Sequence, residues 1–319
     1  MTERSLTPDD APPPGPSGLP DGAREDSPGG LPRRRAVVFV AVALLVAGGG
    51  AAAALSGSGG PRTVSVTPLL QAADIATRGP GYQFDGTVTA TQGGKTTTID
   101  EEGSIDERNS QGTITLHLAG HALLEIFRLP YVYTDVAGPS TRTAAGGKPW
   151  VSLNLGAITE EFGAEDGAEG DSSGPREFIE FLKGSAQATV VGHEPVRGEP
   201  TTHYHAVVDL NRYAAVVAPS RRAGARKAAA ALESVTGSST LAVDAWIGAD
   251  DRLRRYEVEE HLCSPAGPIG ETVSFEIVDY GPQPAVKVPM ASETRDITAA
   301  VRGELAKGLQ ELSCPGSSA

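Results

Sequence analysis

The sequence predicts an α+β protein, mainly β, carried behind one membrane-inserting segment. Three observations carry that reading. Stretches such as 82–90, 112–120 and 201–210 alternate apolar and polar residues with a period of two, the signature of a strand with one buried and one wet face. Aromatic residues make up only 5% of the chain while Thr, Val, Gly and Ala are abundant, which suits a twisted sheet better than a helical bundle. An uncharged run of 20 residues, Ala36 to Leu55, is about long enough to span the ~30 Å of bilayer hydrocarbon.

The chain has 319 residues and a net charge of -13. Residues 1–35 are crowded with Pro, Gly, Asp and Ser and end in the basic stop Arg33-Arg34-Arg35. They contain too little apolar surface to offset the entropy of ordering, so they read as a disordered cytoplasmic tail. Positive charge stays on the cytoplasmic side, so the tail is expected inside and everything after Leu55 outside. The length of the tail favours an uncleaved signal anchor at 36–55 in the cytoplasmic membrane. The small residues Ala51–Ala54 leave a cleaved, secreted form as the alternative. Residues 56–66 read as a linker and 67–319 as the extracytoplasmic domain. That domain carries nearly all the excess acid, because residues 1–60 hold five Arg against six acidic residues. An acidic domain excludes nucleic acid as a natural partner, since that partnership rests on neutralising phosphates.

Within the domain, Thr67 caps a helix with Pro68 at its first position, and Leu69, Ala72, Ala73 and Ala76 form one apolar stripe. Strands follow at 82–90 and 112–120, separated by the polar stretch 95–109, and again at 131–136 and 149–155. The stretch 159–174 is acidic and Gly-rich and reads as a solvated loop, without the DxDxDG spacing of a Ca²⁺ site. Residues 175–184 make a short helix with Phe178, Phe181 and Leu182 on one face. Strand 201–210 puts Tyr204, Ala206, Val208 and Leu210 on one side and His203, His205 and Asp209 on the other. Ser220 caps a helix to Val235. Residues 241–247 and 253–262 form a hairpin around Ala249-Asp250-Asp251, Gly270–Gly281 is a further strand, and 300–312 a closing helix.

The chemistry of common enzymes is missing. There is no GxSxG, HExxH, P-loop or GxGxxG, and nothing sets a nucleophile beside a base. The paired carboxylates Glu160-Glu161 and Glu259-Glu260 read as solvated charge. His203 and His205 at i and i+2 could begin a metal site, but a third ligand would have to come from His117, His121, His193 or His261, and pairing with neighbouring acids is the plainer role. No catalytic residue, metal or cofactor is therefore assigned. Cys263 and Cys314 are the only cysteines; an even count outside the membrane predicts one disulfide between them. Arg221, Arg222, Arg226 and Lys227 open a helix against its macrodipole. An acidic loop or an anionic lipid head group would compensate them; ordinary solvent exposure is the simpler account.

The segments EPTTHYHAVVDL, LAVDAWIGADDRLRRYEVE and ETVSFEIVDYGPQPAVKVP follow one another in the order seen in actinobacterial LolA-like proteins. Over roughly 65–290 the chain resembles the LppX/LprA/LprF/LprG envelope lipoprotein family and, more distantly, the carrier LolA and the sensor RseB. It departs from that family in lacking a lipidation Cys after the hydrophobic segment and in its long tail. The resemblance implies a LolA-like half-open antiparallel β-barrel whose concave face is covered by helices, and a cavity for acyl chains. It also implies non-enzymatic binding or transfer of lipids or lipidated molecules at the outer face of the cytoplasmic membrane. The alternative function is a membrane-anchored sensor or interaction module signalling through its tail to an unknown protein partner. A one-layer sheet must cover its apolar face, and the helices near 68–77, 175–183 and 221–234 are short and Ala-rich. They are expected to leave a cavity lined by Phe84, Val88, Leu116, Leu118, Tyr204, Ala206, Val208, Phe275 and Ile277.

Overall fold

The computed structural model describes residues 62–118, 120–136, 138–161, 175–311 and 314. The tail, the hydrophobic segment 36–55 and residues 162–174 of the acidic stretch lie outside the described residues. Among those described, no helix is long and apolar enough to cross a membrane.

The described strands form a single 13-stranded sheet. In chain order they are β1 (Arg62–Val64), β2 (Tyr82–Gln92), β3 (Lys95–Asp106), β4 (Gln111–Leu118), β5 (His121–Arg128), β6 (Tyr131–Asp135), β7 (Trp150–Asn154), β8 (Ser185–Val196), β9 (Glu199–Asp209), β10 (Thr240–Gly248), β11 (Leu253–Leu262), β12 (Ile269–Tyr280) and β13 (Thr294–Asp296). In space the order is β1-β8-β9-β10-β11-β12-β2-β3-β4-β5-β6-β7-β13. All neighbours are antiparallel except β7 and β13. The sheet is open, with β1 and β13 at its edges. β1 falls inside the segment expected to be linker: Val64 pairs with Ala188, so the folded domain starts before residue 67. Most of the sheet is built from hairpins. Between β2 and β3, Gly93 and Gly94 have φ of 57° and 76°, the left-handed pair that a two-residue turn between twisted strands requires.

The described α-helices are α1 (Thr67–Arg78), α2 (Pro139–Ala144), α3 (Leu155–Glu161), α4 (Pro175–Phe181), α5 (Leu210–Val216), α6 (Arg222–Thr236) and α7 (Thr298–Glu311). α1 buries the predicted stripe Leu69, Ala72, Ala73 and Ala76. It lies against β10 and β11, α6 against β11, and α5 against β8 and β9. α3 meets β6 and α7 meets β7. The helices thus form two groups over one face of the sheet, called the inner face below.

Two caps differ from expectation. The N-cap of α1 is Val66, and Thr67 is its first helical residue, because the Ser65 hydroxyl already accepts from the Thr67 amide at 3.2 Å. Ser220 lies in a 3₁₀ turn at Pro219–Arg221, so α6 starts at Arg222 with no side-chain cap.

The predicted disulfide is formed. Cys263 and Cys314 are 5.0 Å apart at Cα and close a separation of 51 residues, a constraint of roughly 3–4 kcal/mol in the chain-entropy model. Both cysteines also reach the end of α6: the Cys263 amide donates to the Val235 carbonyl at 2.7 Å, and the Cys314 amide to Ser234 at 3.0 Å. The bridge therefore ties the C-terminal segment to the sheet at a corner that α6 already fills.

Candidate ligand-binding face and its carboxyl groups

Strand register turns the inner face into rows of side chains. One row runs Ala206, Val243, Val258, Val273, Val88, Ile99 across β9, β10, β11, β12, β2 and β3. It is wholly apolar, and its burial falls along its length. Ala206 and Val243 are 0% exposed, Val273 is 3%, and Val88 and Ile99 are half-buried. The helices over β8–β11 account for that gradient, since α1, α5 and α6 pack there.

The nine residues expected to line a cavity therefore separate into two groups. Ala206 and Val208 (0%), Phe84 and Phe275 (1%), Ile277 (2%) and Leu116 (6%) are packed into the main core. Side chains with essentially no accessible surface border no water-sized space, so these are core residues and not walls. Val88, Leu118 and Tyr204 are half-buried. The apolar surface left over beside them comprises Ala90, Ile99 and Leu123, all half-buried.

Close packing at the core end depends on glycine. The Phe84 ring lies over Gly103, where an added Cβ would sit 2.6 Å from Cε1, and the Phe127 ring lies over Gly112 at 2.5 Å. These glycines sit opposite aromatic residues on the next strand, and the missing side chain is the space the ring fills.

Sequence reasoning missed the acids of this face. Glu101 lies in the row Phe275, Gly86, Glu101, Leu116, and Glu125 pairs with Ile114 one strand further on. Glu260 and Glu271 face each other directly on β11 and β12. Glu125 is 4% exposed, Glu260 0% and Glu271 5%. Burial pushes the Glu271 carboxyl up to about 7. Glu125 is likewise raised to about 7 by burial, against a hydrogen bond from Thr134 at 3.1 Å. Glu101 reaches about 7 through burial, reinforced by the charge of Glu125. No described residue hydrogen-bonds or ion-pairs with the Glu271 carboxyl. The signal was present in the sequence: each acid occupies the parity of the apolar residues on its strand.

A further buried acid, Glu180 on α4, is treated in the opposite way. It is 3% exposed, accepts from Arg221 at 2.7 Å and from the Tyr213 hydroxyl at 3.2 Å, and pairs with Lys183 at 3.5 Å and Arg176 at 3.7 Å. Burial alone would raise its carboxyl, but Arg221 and the other cations hold it below the ordinary value. Arg176 also pairs with Glu107 beyond β3, and Lys183 with Asp74 on α1 at 3.5 Å. The hub fastens α1, α4 and α5 to one end of the sheet.

On the outer face the expected pairing of histidines with acids is present. Asp244 accepts from His203 Nε2 at 2.7 Å and lies 3.3 Å from His205 Nδ1, and Glu194 lies 3.3 Å from His203 Nδ1. Burial would raise Asp244, but hydrogen bonds from both histidines hold it below the ordinary value. The bond to Asp244 raises His205. His203 is not solvated as its parity suggested. It is 7% exposed because it stacks on Trp246 at 4.1 Å, with Arg255 also 4.7 Å from that indole. Among the described residues no group of His, Cys, Asp and Glu could hold a metal ion. The outer face also bears a shallow depression of about 290 Å³ lined by Gln83, Asp85, Glu102, Ser104 and Thr113, too polar to serve acyl chains.

No family model matches the chain. Among curated proteins it is similar to an uncharacterized 31.2 kDa protein in the rplA-rplJ intergenic region of Streptomyces griseus, 29% identical over 164 residues. That match spans 50% of this chain and 52% of the relative, about half the length of each. Among solved structures it is similar to the Mycobacterium tuberculosis lipoprotein LppX, with 10% identity over 70% of this chain and 97% of that one at a TM-score of 0.42. It is also similar to LprF from Mycobacterium bovis, 14% identical over 72% and 100% of the two chains at 0.39. A LolA superfamily protein from Nitrosomonas europaea is 6% identical over 68% and 96% at 0.26. The structure neighbours are thus of the kind the sequence resemblance named.

Proposed function

We propose that this protein binds or transfers lipids or lipidated molecules without enzymatic chemistry, at the outer face of the cytoplasmic membrane. The observation that carries this reading is the burial gradient of the inner face. An apolar row that is buried from β9 to β12, with helices packed over β8–β11, continues as half-buried Val88 and Ile99 on β2 and β3, next to Leu118 and Leu123. Apolar surface continuous with a core and only half covered suits an acyl chain, held by burial worth about 25 cal/mol per Å². The membrane location rests on the charge and length of the segment 33–55.

The test is mass spectrometry of molecules that co-purify with the full chain, and with Leu118→Lys and Val88→Asp variants. Wild type is expected to carry extractable lipid and each variant to lose at least most of it while keeping its circular dichroism spectrum. Wild-type protein that neither carries nor takes up lipid would overturn the reading and favour an envelope sensor.

A further inference from the structure

The chain is strongly acidic, yet residues 210–232 hold five cations (Arg212, Arg221, Arg222, Arg226 and Lys227) and no acid across 23 positions. The structure gathers them at one corner, where α5 leads through the turn Pro219–Arg221 into α6. Arg221 is spent on Glu180. Arg212, Arg222 and Arg226 are exposed, and no carboxylate among the described residues pairs with them. Arg222 is held to the end of α5 by a bond from its Nε to the Val217 carbonyl at 3.2 Å. Cations in the first turn of α6, without an acidic residue or side-chain cap there, oppose the helix dipole and add to the positive charge of this corner.

The same corner carries an apolar group in water. Val216 is 53% exposed, among the largest exposures of any large hydrophobic residue described. It lies four residues after Arg212 on α5, so the two share a helix face, and beside it Ala215, Ala218 and Pro219 are exposed as well. Small exposed apolar residues close in the chain to exposed arginines suit a bilayer surface, where head-group charge lies over an apolar interior. Only six residues, 56–61, separate the hydrophobic segment from β1, a reach of about 20 Å when extended.

We propose that the corner formed by α5 and the start of α6 docks onto an anionic membrane surface, with Arg212, Arg222 and Arg226 on lipid phosphates and Val216 entering the interface. This rests on the membrane-face placement proposed above but not on any bound lipid. Docking would fix how the domain stands on the bilayer, which one covalent connection through residues 56–61 does not do by itself.

Because both native cysteines are in the disulfide, Val216→Cys in the full chain offers one thiol for an environment-sensitive dye. The labelled protein is placed in nanodiscs of phosphatidylcholine alone or with a third phosphatidylglycerol. The dye is expected to shift to the blue and to be quenched by lipid-borne spin labels only in the anionic discs, with reversal at high salt. Adding Arg212→Gln, Arg222→Gln and Arg226→Gln should reduce the docked-to-free ratio about a hundredfold, from the usual contribution of a basic residue at an anionic surface. Circular dichroism verifies the fold of each variant, and Arg222→Lys, which keeps the charge, should dock like wild type. The same emission in both discs, or a shift that survives the triple substitution, would overturn the proposal. Docking without co-purifying lipid would sink the carrier reading alone, and lipid without docking would sink this one alone.

Discussion

Glu180 and Glu271 are both at least 95% buried, yet their surroundings oppose each other. Around Glu180 the helical layer supplies Arg221, Arg176, Lys183 and a tyrosine hydroxyl, and the acid stays charged below its usual range. Around Glu271 the sheet supplies valines and another carboxyl, and burial lifts the acid to about 7. Burial alone therefore does not decide whether a carboxyl is a fastener or a liability; the cations within reach decide it. The helical end is locked by charge, and the inner face holds acids that fold most readily when protonated.

The largest expected effect would break the first half of that contrast. Glu180→Ala leaves Arg221 and Arg176 without a shared partner in a buried site, and is expected to cost about 3–5 kcal/mol in urea unfolding at pH 7. The folded pKa of Glu180 is depressed, so its contribution is present above the unfolded carboxyl value and is lost as pH falls through the folded one. A cost below about 1 kcal/mol would mean that the hub is solvated and the contrast empty.

A somewhat smaller effect of opposite sign sharpens the second half. Glu125 and Glu271 have folded values raised to about 7. Their favourable contribution is complete below the ordinary carboxyl value, declines as pH rises, and is gone above about 7. Wild type should lose stability between pH 5 and pH 8. Glu271→Gln should flatten that slope and stabilise the protein at pH 8 by up to about 3 kcal/mol, with Glu125→Gln behaving similarly. Parallel unfolding curves at the two pH values are the check, and an unchanged slope in both variants would refute the assignment.

The smallest effect lies on the outer face, where partners are half-exposed. His205 is raised by Asp244, so the pair stabilises the fold below the ordinary histidine value and the contribution is lost as pH rises through the folded one. His205→Asn should cost less than about 1 kcal/mol at pH 6, given solvent screening, and nothing measurable at pH 9. An NMR titration of the imidazole would show the raised midpoint directly.

Much of the architecture was legible because a period of two survives in any half-buried strand. The parity of β2, β4, β9 and β12 and the hairpin of β10 and β11 around 249–251 agree with the structure. β5 and β8 are not legible this way: HALLEIFR carries a glutamate on its apolar face, and the alternation of SAQATVVGHEPV is broken by register shifts. The candidate site was legible only as a face. Its residues share one side of the sheet by register, but a pattern of alternation carries no information on which of them a helix will cover. His203 shows the same limit: parity put it on the wet side, and a cross-strand tryptophan closed over it.

The sequence by itself determined the mainly β composition, the apolar stripe of α1, the side of the sheet each alternating residue takes, and the pairing of its two cysteines, since each follows from local periodicity or from a count. Only the tertiary structure decided that Ala206 and Val208 are sealed while Val88 stays half open, that Glu180 meets three cations while Glu271 meets none among the described residues, and that the cations of α6 share a corner with Val216. Those outcomes depend on which distant segments arrive over the same few ångströms of sheet. Strand register and helix docking fix that jointly, and no local stretch of the chain encodes it alone.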